Sequence, residues 1–467
     1  MSARKGTRIA LWVLTSVVIV AVIAAASIVI VRQLNAGPDV PPGTPARPAL
    51  VAASPTINPV SADAPEPTRA GVRKALAKVI ADPALGKLTG EVTDPLTGAT
   101  LWSRNPDQPL IPASNTKVLT AAAVLLGAPQ DKRLTTKVVA GAGGQVILVG
   151  AGDPTLSAQP IGAETFFTDA PRIAALAAQI RKAGINVTSV AVDTDAYTGP
   201  TMDSTWDRRD IAGGDITPIE PLMADAGRIK PLDEFSPRVD DPAITAGQAL
   251  AEALGVDSKV TKESADAGAK VVAKVTSAPL VTRVNDMMRY SDNVLAEALS
   301  IELSQVIGGE ASLEGGARAV QQTLETKGFD LTGVTLHDTS GLSYANRVPA
   351  ALLDKIMAGT AAPGAERAGQ SNTGTAQPKL RPMLDGLPIA GGTGTLADRF
   401  DPKLTAGAGW VRAKTGTLTG VSSLTGTVLT VDGRVLSFAL MSNGTSPADA
   451  RPALDAVAGA LRECGCR

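Results

Sequence analysis

The chain has 467 residues, of which 44% are hydrophobic and 19% charged, a composition typical of a globular protein with a large core. Its formal net charge is −1, so it lacks the basic excess of nucleic-acid-binding proteins, and we expect no nucleic acid among its partners. With His337 as the only histidine and Cys464 and Cys466 as the only cysteines, a metal site built from several such ligands is excluded, and we predict no metal or cofactor.

Residues 1–35 predict a membrane anchor. Arg4, Lys5 and Arg8 precede an uncharged run of 23 residues, 9–31. As a helix this run would measure about 34 Å, which is enough to cross a bilayer. Positive charge before the span favours a single-pass cell-membrane protein with its body on the extracytoplasmic side. The alternative is a cleaved signal peptide, because residues 24–26 are small, and it would also place the body outside the cytoplasm.

Residues 36–68 contain nine prolines and no apolar periodicity, which predicts an extended linker. Folded sequence begins at 69 with a helical pattern near 70–80, followed by two short strands at 88–93 and 99–103. A helix rich in alanine and leucine then runs from the segment around Ser114 to Gly127.

Residues 129–275 have a different texture, rich in β-branched residues, glycine and Asp-Pro turns, and we predict an inserted β-rich domain here. The glycine-rich stretch 141–144 could suggest a nucleotide-binding loop. Because an alternating strand at 145–149 follows it and not a helix, we interpret it as a hairpin turn.

The last third predicts two helices, at 280–290 and 294–305, separated by Ser291, Asp292 and Asn293. Three strands and a closing helix are predicted after them, at 411–417, 424–430, 435–441 and 447–461.

Three short motifs occur in one order: Ser114 with Lys117 as Ser-x-x-Lys, Ser291 to Asn293 as Ser-Asp-Asn, and Lys414 to Gly416 as Lys-Thr-Gly. Each alone is weak, since a helix cap, a turn or a strand end would explain it. Together, and each on a suitable predicted element, they resemble the motif set of serine β-lactamases and penicillin-binding proteins.

This resemblance suggests a role for each residue. Ser114 and Lys117 lie on one helix face, and the helix dipole favours negative charge developing on the Ser114 oxygen, so Ser114 is the predicted nucleophile. Lys117 in a dry pocket near other cations would lose its proton readily and act as base, with Lys414 supplying the neighbouring charge. Ser291 would relay a proton to the departing amine.

The substrate would be held by the remaining motif residues. Asn293 would exchange amide hydrogen bonds with its backbone, and Gly416 would let a peptide lie close against the strand edge. The hydroxyls of Thr415 and Thr417, together with Lys414, suit a free C-terminal carboxylate. The backbone N–H groups of the nucleophile and of Thr417 are the predicted oxyanion donors.

Six segments resemble the D-alanyl-D-alanine carboxypeptidase/endopeptidase family, the class C low-molecular-mass penicillin-binding proteins, and the resemblance runs from about residue 72 to the C-terminus. They are residues 112–117, 152–156, 291–297, 338–343, 387–391 and 414–418. The resemblance implies an α+β fold of the penicillin-binding and serine β-lactamase-like transpeptidase type. An antiparallel sheet flanked by helices and a helical subdomain would form from residues 69–128 and 276–467, around the inserted domain.

The family resemblance also implies an activity. The expected enzyme is a serine D-alanyl-D-alanine carboxypeptidase or endopeptidase that acts on peptidoglycan stem peptides through an acyl-enzyme on Ser114. β-Lactams would be covalent inhibitors.

Two departures from the family pattern concern the substrate side chain. Tyr344 stands where the family usually has an arginine that binds it, although Arg347 lies three residues further on. Residues 192–197 resemble a segment that contributes to the same pocket, which makes Asp193 and Tyr197 candidates for substrate contact. A simple turn explains Asp193 equally well.

Three alternatives stay open. A β-lactamase is one, since Tyr344 to Asn346 spell the Tyr-x-Asn of cephalosporinase-type enzymes, although Ser291 to Asn293 already complete a Ser-Asp-Asn motif. An inactive cell-wall-binding protein is another, which the intact motif set disfavours. A hydrolase with His337 as base would need a Gly-x-Ser-x-Gly segment, and the chain has none.

Overall fold

The computed structural model describes residues 63–363, 377–400 and 406–465. The predicted span at 9–31 and the linker up to residue 62 lie outside these residues. Within the described ranges, no helix is both long and apolar enough to cross a bilayer.

The described residues form the strands and α-helices that follow. The strands are β1 (Lys87–Asp94), β2 (Ala99–Arg104), β3 (Thr135–Ala140), β4 (Gln145–Val149), β5 (Ser189–Asp193), β6 (Thr261–Lys262), β7 (Val271–Thr276), β8 (Val411–Leu418), β9 (Val421–Leu429) and β10 (Val435–Asn443). The helices are α1 (Arg69–Leu76), α2 (Thr116–Gly127), α3 (Ile173–Lys182), α4 (Arg209–Gly213), α5 (Pro242–Leu254), α6 (Leu280–Tyr290), α7 (Asn293–Val306), α8 (Leu313–Thr326), α9 (Ala350–Ala361), α10 (Met383–Gly386) and α11 (Pro447–Arg462).

The first sheet is antiparallel, with the strand order β2-β1-β10-β9-β8. Alternate residues of β10 enter different cores. Phe438 and Leu440 pack with α1 and α11, whereas Ala439 and Met441 pack with the helices on the opposite face. Because successive side chains of a strand point to opposite faces, a strand that is hydrophobic on both is buried on both. The sheet therefore lies between two helical layers.

Helix α2 crosses the centre of the larger helical layer, between α6, α7, α8 and α9. Its residues from Thr116 to Leu126 are all buried, including Ala121, Ala122 and Ala123. A helix that is apolar all round is stable only when it is surrounded by protein, and small alanines let the neighbouring helices approach closely. Burial of α2 fixes the position of its N-terminus, where Ser114 lies.

A second sheet, in the order β6-β5-β4-β3-β7, forms between residues 135 and 276. Strands β3 and β4 form the predicted hairpin, and Gly143 and Gly144 in its turn have positive φ. Strands β4 and β5 are parallel and are connected through α3. Helices α3 and α5 pack against this sheet, so the segment predicted to be β-rich is a mixture of strands and helices.

Candidate active site

Ser114 lies in a short 3-10 turn that leads into α2. The preceding Ala113 has φ of +48°, a left-handed conformation that costs a non-glycine residue about 1–2 kcal/mol. Side-chain hydrogen bonds help to hold this turn: Thr116 Oγ1 donates to the Ala113 carbonyl at 2.9 Å, and Ser423 Oγ donates to the Pro112 carbonyl at 2.7 Å. Ser114 is thus fixed between its own helix and strand β9.

Lys117 lies one helical turn after Ser114 and is completely buried. Its Nζ donates to Ser114 Oγ at 3.1 Å, to Asn293 Oδ1 at 2.5 Å and to the Ser340 carbonyl at 2.6 Å. These three acceptors match the three N–H donors of an ammonium group. The amine is therefore held in one position beside the serine oxygen.

The pKa values of the two buried lysines are both lowered. Burial lowers the pKa of Lys117 to about 8, against the opposing effect of carboxylates, of which Asp338 is the largest. Burial lowers the pKa of Lys414 well below its usual value, and the charge of Lys117 lowers it further. Burial is the largest cause for both lysines. Repulsion between two ammonium groups is mutual, so a contribution of Lys414 to the lowered pKa of Lys117 stays a prediction.

The Ser-Asp-Asn motif forms the junction between α6 and α7. Ser291 has φ of +57° at the end of α6, and Asp292 accepts a hydrogen bond from Leu295 N–H at 2.7 Å as the N-cap of α7. Arg228 and Arg238 donate to Asp292 Oδ2 at 2.7 and 3.2 Å. All three charged side chains are buried, and the guanidinium groups keep the pKa of Asp292 far below its usual value in spite of burial.

Asn293 links the Ser-Asp-Asn motif to Lys117 and to the segment that lies between the two motifs in the sequence. Its Oδ1 accepts from Lys117, and its Nδ2 donates to the Asp215 carbonyl at 2.9 Å. Lys414 on β8 donates to Ser291 Oγ at 2.7 Å. The structure therefore brings the five predicted catalytic side chains into two hydrogen-bonded groups, one of Ser114, Lys117 and Asn293 and one of Ser291 and Lys414, which the Ser-Asp-Asn motif joins along the chain.

Gly416 lies against the Ser114 turn. A Cβ at this position would be 2.7 Å from the Pro112 carbonyl oxygen and 3.1 Å from Ser114 N, and it would also collide with Ser423 Oγ. The sequence predicts that glycine here leaves room for a substrate. The structure shows that the missing side chain also allows β8 to approach the backbone of Ser114.

Thr415 and Thr417 flank this glycine on β8. Thr415 Oγ1 is hydrogen-bonded to Thr395 Oγ1 at 2.7 Å. Thr417 Oγ1 accepts from Arg451 Nε of α11 at 3.2 Å. Arg451 is a neighbour of the site that the sequence motifs do not indicate.

The side chains of Asp193 and Tyr197 form hydrogen bonds with backbone groups and not with the predicted catalytic side chains. The Asp193 carboxylate accepts from the N–H groups of Asp195 and Ala265, both at 2.9 Å. Tyr197 Oη donates to the Gly152 carbonyl at 3.5 Å, and burial raises its pKa. In the described part of the chain, no hydrogen bond links either side chain to Ser114 or its partners. This geometry favours the turn interpretation of Asp193, and substrate contact by the two residues stays a prediction.

The Tyr344 loop lies beside the site. Tyr344 is half exposed, and its Oη accepts from Thr419 N–H just after β8 at 3.0 Å. Arg347 donates to the carbonyls of Tyr344 and Asn346, so its guanidinium is bound to its own loop. Asn346 is completely buried and bonded to Asp338, which is a structural role and unlike that of a catalytic Tyr-x-Asn residue.

A buried carboxylate supports the third acceptor of Lys117. Glu297 accepts from the N–H groups of Thr339 and Ser340, and Asp338 accepts from Gly341 N–H in the peptide plane of the Ser340 carbonyl, so the two carboxylates fix the backbone around that carbonyl. Burial, reinforced by Asp338, raises the pKa of Glu297 to about 7. Within the described ranges, no group of three or more His, Cys, Asp or Glu side chains is arranged to hold a metal ion.

Residues 72–234 and 233–464 match the model of the D-Ala-D-Ala carboxypeptidase 3 (S13) family, which covers most of the chain. The chain belongs to this family. It is therefore a serine-type D-alanyl-D-alanine carboxypeptidase, a peptide hydrolase, as the resemblance of its motifs predicts.

Similar proteins agree with this assignment. Carboxypeptidase DacB of Mycolicibacterium smegmatis is 46% identical over 99% of this chain and 98% of its own length. A carboxypeptidase of Mycobacterium tuberculosis is 49% identical over 91% of this chain and 90% of its own. A D-alanyl-D-alanine carboxypeptidase of an Actinomadura species is 31% identical, covering 89% of this chain and 88% of its own.

The fold also has a solved counterpart. Penicillin-binding protein 4 of Haemophilus influenzae superposes with a TM-score of 0.64 at 20% identity, covering 80% of this chain and 93% of that one. The carboxypeptidase thus has the penicillin-binding protein and β-lactamase-like fold, with its two sheets and its helical layers.

Proposed function

We propose that the carboxypeptidase removes the terminal D-Ala of peptidoglycan stem peptides through an acyl-enzyme on Ser114. The observation that carries this is the contact of 3.1 Å between Ser114 Oγ and Lys117 Nζ, together with the lowered pKa of Lys117. The neutral amine takes the Ser114 proton while Oγ attacks the carbonyl carbon of the penultimate D-Ala. The backbone N–H groups of Ser114 and Thr417 stabilise the resulting oxyanion.

Collapse of the tetrahedral intermediate breaks the peptide bond and leaves an ester on Ser114. The departing D-Ala nitrogen needs a proton, and the Ser291 hydroxyl delivers it. The bond of 2.7 Å from Lys414 Nζ to Ser291 Oγ supports this role, because it fixes the hydroxyl and replaces the proton it gives away. Water then attacks the ester by the reverse sequence and regenerates the Ser114 hydroxyl.

The amide of Asn293 binds the substrate backbone. Its Nδ2 donates to the Asp215 carbonyl, and a substrate carbonyl takes the place of that acceptor when the peptide enters. The hydroxyl face of Thr415 and Thr417 receives the terminal carboxylate. Recognition of the stem-peptide side chain by Asp193 and Tyr197 has no contact to support it beyond the sequence resemblance.

β-Lactams are expected to acylate Ser114, because their strained amide occupies the place of the scissile bond. Penicillin-binding protein 4 of Haemophilus influenzae has also been solved in complex with a β-lactam. This chain superposes on that complex with a TM-score of 0.57. The same acyl-enzyme would form from a cross-linked peptide, so endopeptidase cleavage belongs to the proposed activity as well.

The location that we propose is the outer side of the cell membrane. The support is the basic N-terminus followed by the uncharged run at 9–31, with the proline-rich linker at 36–68 as a tether. Peptidoglycan lies on that side, so the active site would face its substrate.

Defined muropeptides test the reaction. The full-length protein is incubated with a monomeric pentapeptide and with a cross-linked dimer, and the products are separated by chromatography. We expect D-Ala release from the monomer that falls to background in Ser114→Ala. The exposed Ser103 gives a matched control, since Ser103→Ala should leave the release unchanged. D-Ala release by Ser114→Ala would refute the assignment of the nucleophile.

A further inference from the structure

The outer edge of β8 is covered over only part of its length. Ala413 N–H donates to the Pro388 carbonyl and Ala390 N–H donates to the Val411 carbonyl, both at 3.0 Å. Beyond Ala413, no backbone segment of the described residues pairs with this edge. A substrate strand therefore has room to add along residues 414–418.

On β8, Thr415 and Thr417 are two residues apart and so share one face of the strand, opposite to Lys414 and Gly416. This face is bordered by α11. Arg451 of α11 reaches it, with Nε 3.2 Å from Thr417 Oγ1. A guanidinium group is thus held beside the hydroxyls that the proposed reaction assigns to the terminal carboxylate.

The position of Arg451 follows from the pattern of α11. Leu454, Ala458 and Leu461 are buried against the first sheet. Their spacing of three and four residues marks one face of the helix, and Arg451, three residues before Leu454, continues this face toward β8. The packing of α11 therefore determines where the guanidinium group lies.

The charge of Arg451 is not neutralised by an ion pair in the described part of the chain. Its neighbour Arg399 donates to both oxygens of Asp455, at 3.1 and 2.5 Å. Arg451 has no carboxylate of the described residues within ion-pair distance. Partial burial, and then the charge of Arg399, lower the pKa of Arg451 and outweigh the opposing effect of Asp455, whose carboxylate is bonded to Arg399.

We propose that Arg451 binds the free C-terminal carboxylate of the substrate and thereby selects peptides that end in D-Ala over peptides that continue. This inference rests on the proposed function and adds a specificity-determining residue to it. Nε already bonds Thr417, and the terminal amines of the guanidinium carry further N–H donors that suit a carboxylate. A peptide whose main chain continues past this residue has an amide in place of the carboxylate and gains nothing from the charge.

The test compares two substrates with Arg451→Gln in the full-length protein. One is an acylated tripeptide ending in D-Ala-D-Ala, and the other is the same peptide as its C-terminal amide. Loss of one charge-assisted contact should lower kcat/KM for the free acid about 10- to 100-fold, and change it less than about threefold for the amide. Arg451→Lys should retain part of the preference.

Arg462, on the same helix but stacked over Trp410, provides the matched control, and Arg462→Gln should behave as wild type on both substrates. Raising the ionic strength should lower kcat/KM for the free acid in wild type and not in Arg451→Gln. If the amide is too poor a substrate to measure, this salt dependence alone tests whether Arg451 binds the carboxylate. Equal losses on both substrates, or an unchanged salt dependence, would overturn the inference. Failure of wild type to release D-Ala would instead refute the proposed function.

Discussion

Lys117 is the side chain whose proton controls the proposed chemistry. As an ammonium it donates to Ser114 Oγ, Asn293 Oδ1 and the Ser340 carbonyl; as a neutral amine it has a lone pair for the Ser114 proton. Its pKa of about 8 leaves about one tenth of the molecules with a neutral base at pH 7, far more than the usual pKa of 10.5 would.

The rate of acylation should therefore rise with pH, with a midpoint near 8, because the base becomes active only as Lys117 loses its proton. Stopped-flow measurement with a fluorescent penicillin between pH 6 and 9 checks this. Lys117→Arg keeps the charge but removes the base, so acylation should slow about 10²- to 10⁴-fold and lose this midpoint. A variant rate within tenfold of wild type would show that Lys117 is not the base.

The sequence predicts the five catalytic residue types but not what holds them in place. Lys117 meets Asn293 and the Ser340 carbonyl across 176 and 223 positions of the chain. The contribution of Glu297, which orients Ser340 from inside α7, depends on this long-range contact. A motif read along the sequence carries no information about such partners. The same holds for Arg451, which meets Thr417 across 34 positions of the chain.

At the scale of elements, the approach of β8 to the Ser114 turn depends on Gly416. Gly416→Ala would place a methyl group 2.7 Å from the Pro112 carbonyl oxygen, so the strand and the turn must separate. We expect the free energy of unfolding to fall by about 1–3 kcal/mol, as for other overpacked sites, and the acylation rate to fall with it.

Gly268→Ala is the matched control, because a Cβ at Gly268 meets nothing within 4 Å and its φ is not in the left-handed region. Urea unfolding measures the free energy of unfolding of both variants, and penicillin labelling measures their acylation rates. If Gly416→Ala acylates as fast as wild type, the close approach of β8 is unimportant for the reaction.

The junction of α6 and α7 depends on a buried ionic group. Asp292→Asn would leave Arg228 and Arg238 buried without their anion, and we expect a loss of about 3–5 kcal/mol in urea unfolding. The pKa of Asp292 is lowered in the folded state, so its contribution is present above the pKa of the unfolded chain and is lost only in strong acid, as pH falls through the folded pKa. The difference between wild type and variant should therefore be constant from pH 5 to 8.

Asp233→Asn tests the same change at a surface pair, since Asp233 and Lys230 are both exposed, and it should alter stability by less than about 1 kcal/mol. A similar small effect for Asp292→Asn would contradict the structural role of the buried group.

The sequence predicts a β-rich segment at 129–275 and does not predict the helices that the structure shows there. The buried residues of α3 are Ile173, Leu176, Ala177 and Ile180, the spacing of an amphipathic helix. The composition of the surrounding segment favours strands, so the sequence does not predict the short helix α3 that connects β4 and β5. Strands of the first sheet were easier to predict, because their strong hydrophobic runs are bounded by turn residues.

At the scale of the whole molecule, the segment between the Ser-x-x-Lys and Ser-Asp-Asn motifs takes part in building the site. Its residues Arg228 and Arg238 hold Asp292, and its Asp215 carbonyl holds Asn293. The sequence indicates an insertion and gives no sign that it supports the catalytic junction, since those contacts form only on folding.

The N-terminal anchor is a prediction for the whole chain in the cell. The full-length protein should remain with membranes after high-salt washing, and Val18→Lys with Val22→Lys should release it, since each lysine costs about 2.5–3.5 kcal/mol at the centre of a span. Leucine at both positions is the matched control. A mature chain that begins after residue 26 would show a cleaved signal peptide instead of an anchor.

Covalent labelling of Ser114 tests the central claim most directly. The full-length protein is incubated with benzylpenicillin and analysed by intact mass and peptide mapping. As the ester to Ser114 Oγ forms, the β-lactam C–N bond breaks and the ring nitrogen takes the proton, so the adduct keeps every atom of the penicillin. We predict one adduct, on the peptide that contains Ser114, in wild type and in Ser103→Ala, and none in Ser114→Ala. An unmodified wild-type protein, or an adduct that persists in Ser114→Ala, would contradict the mechanism.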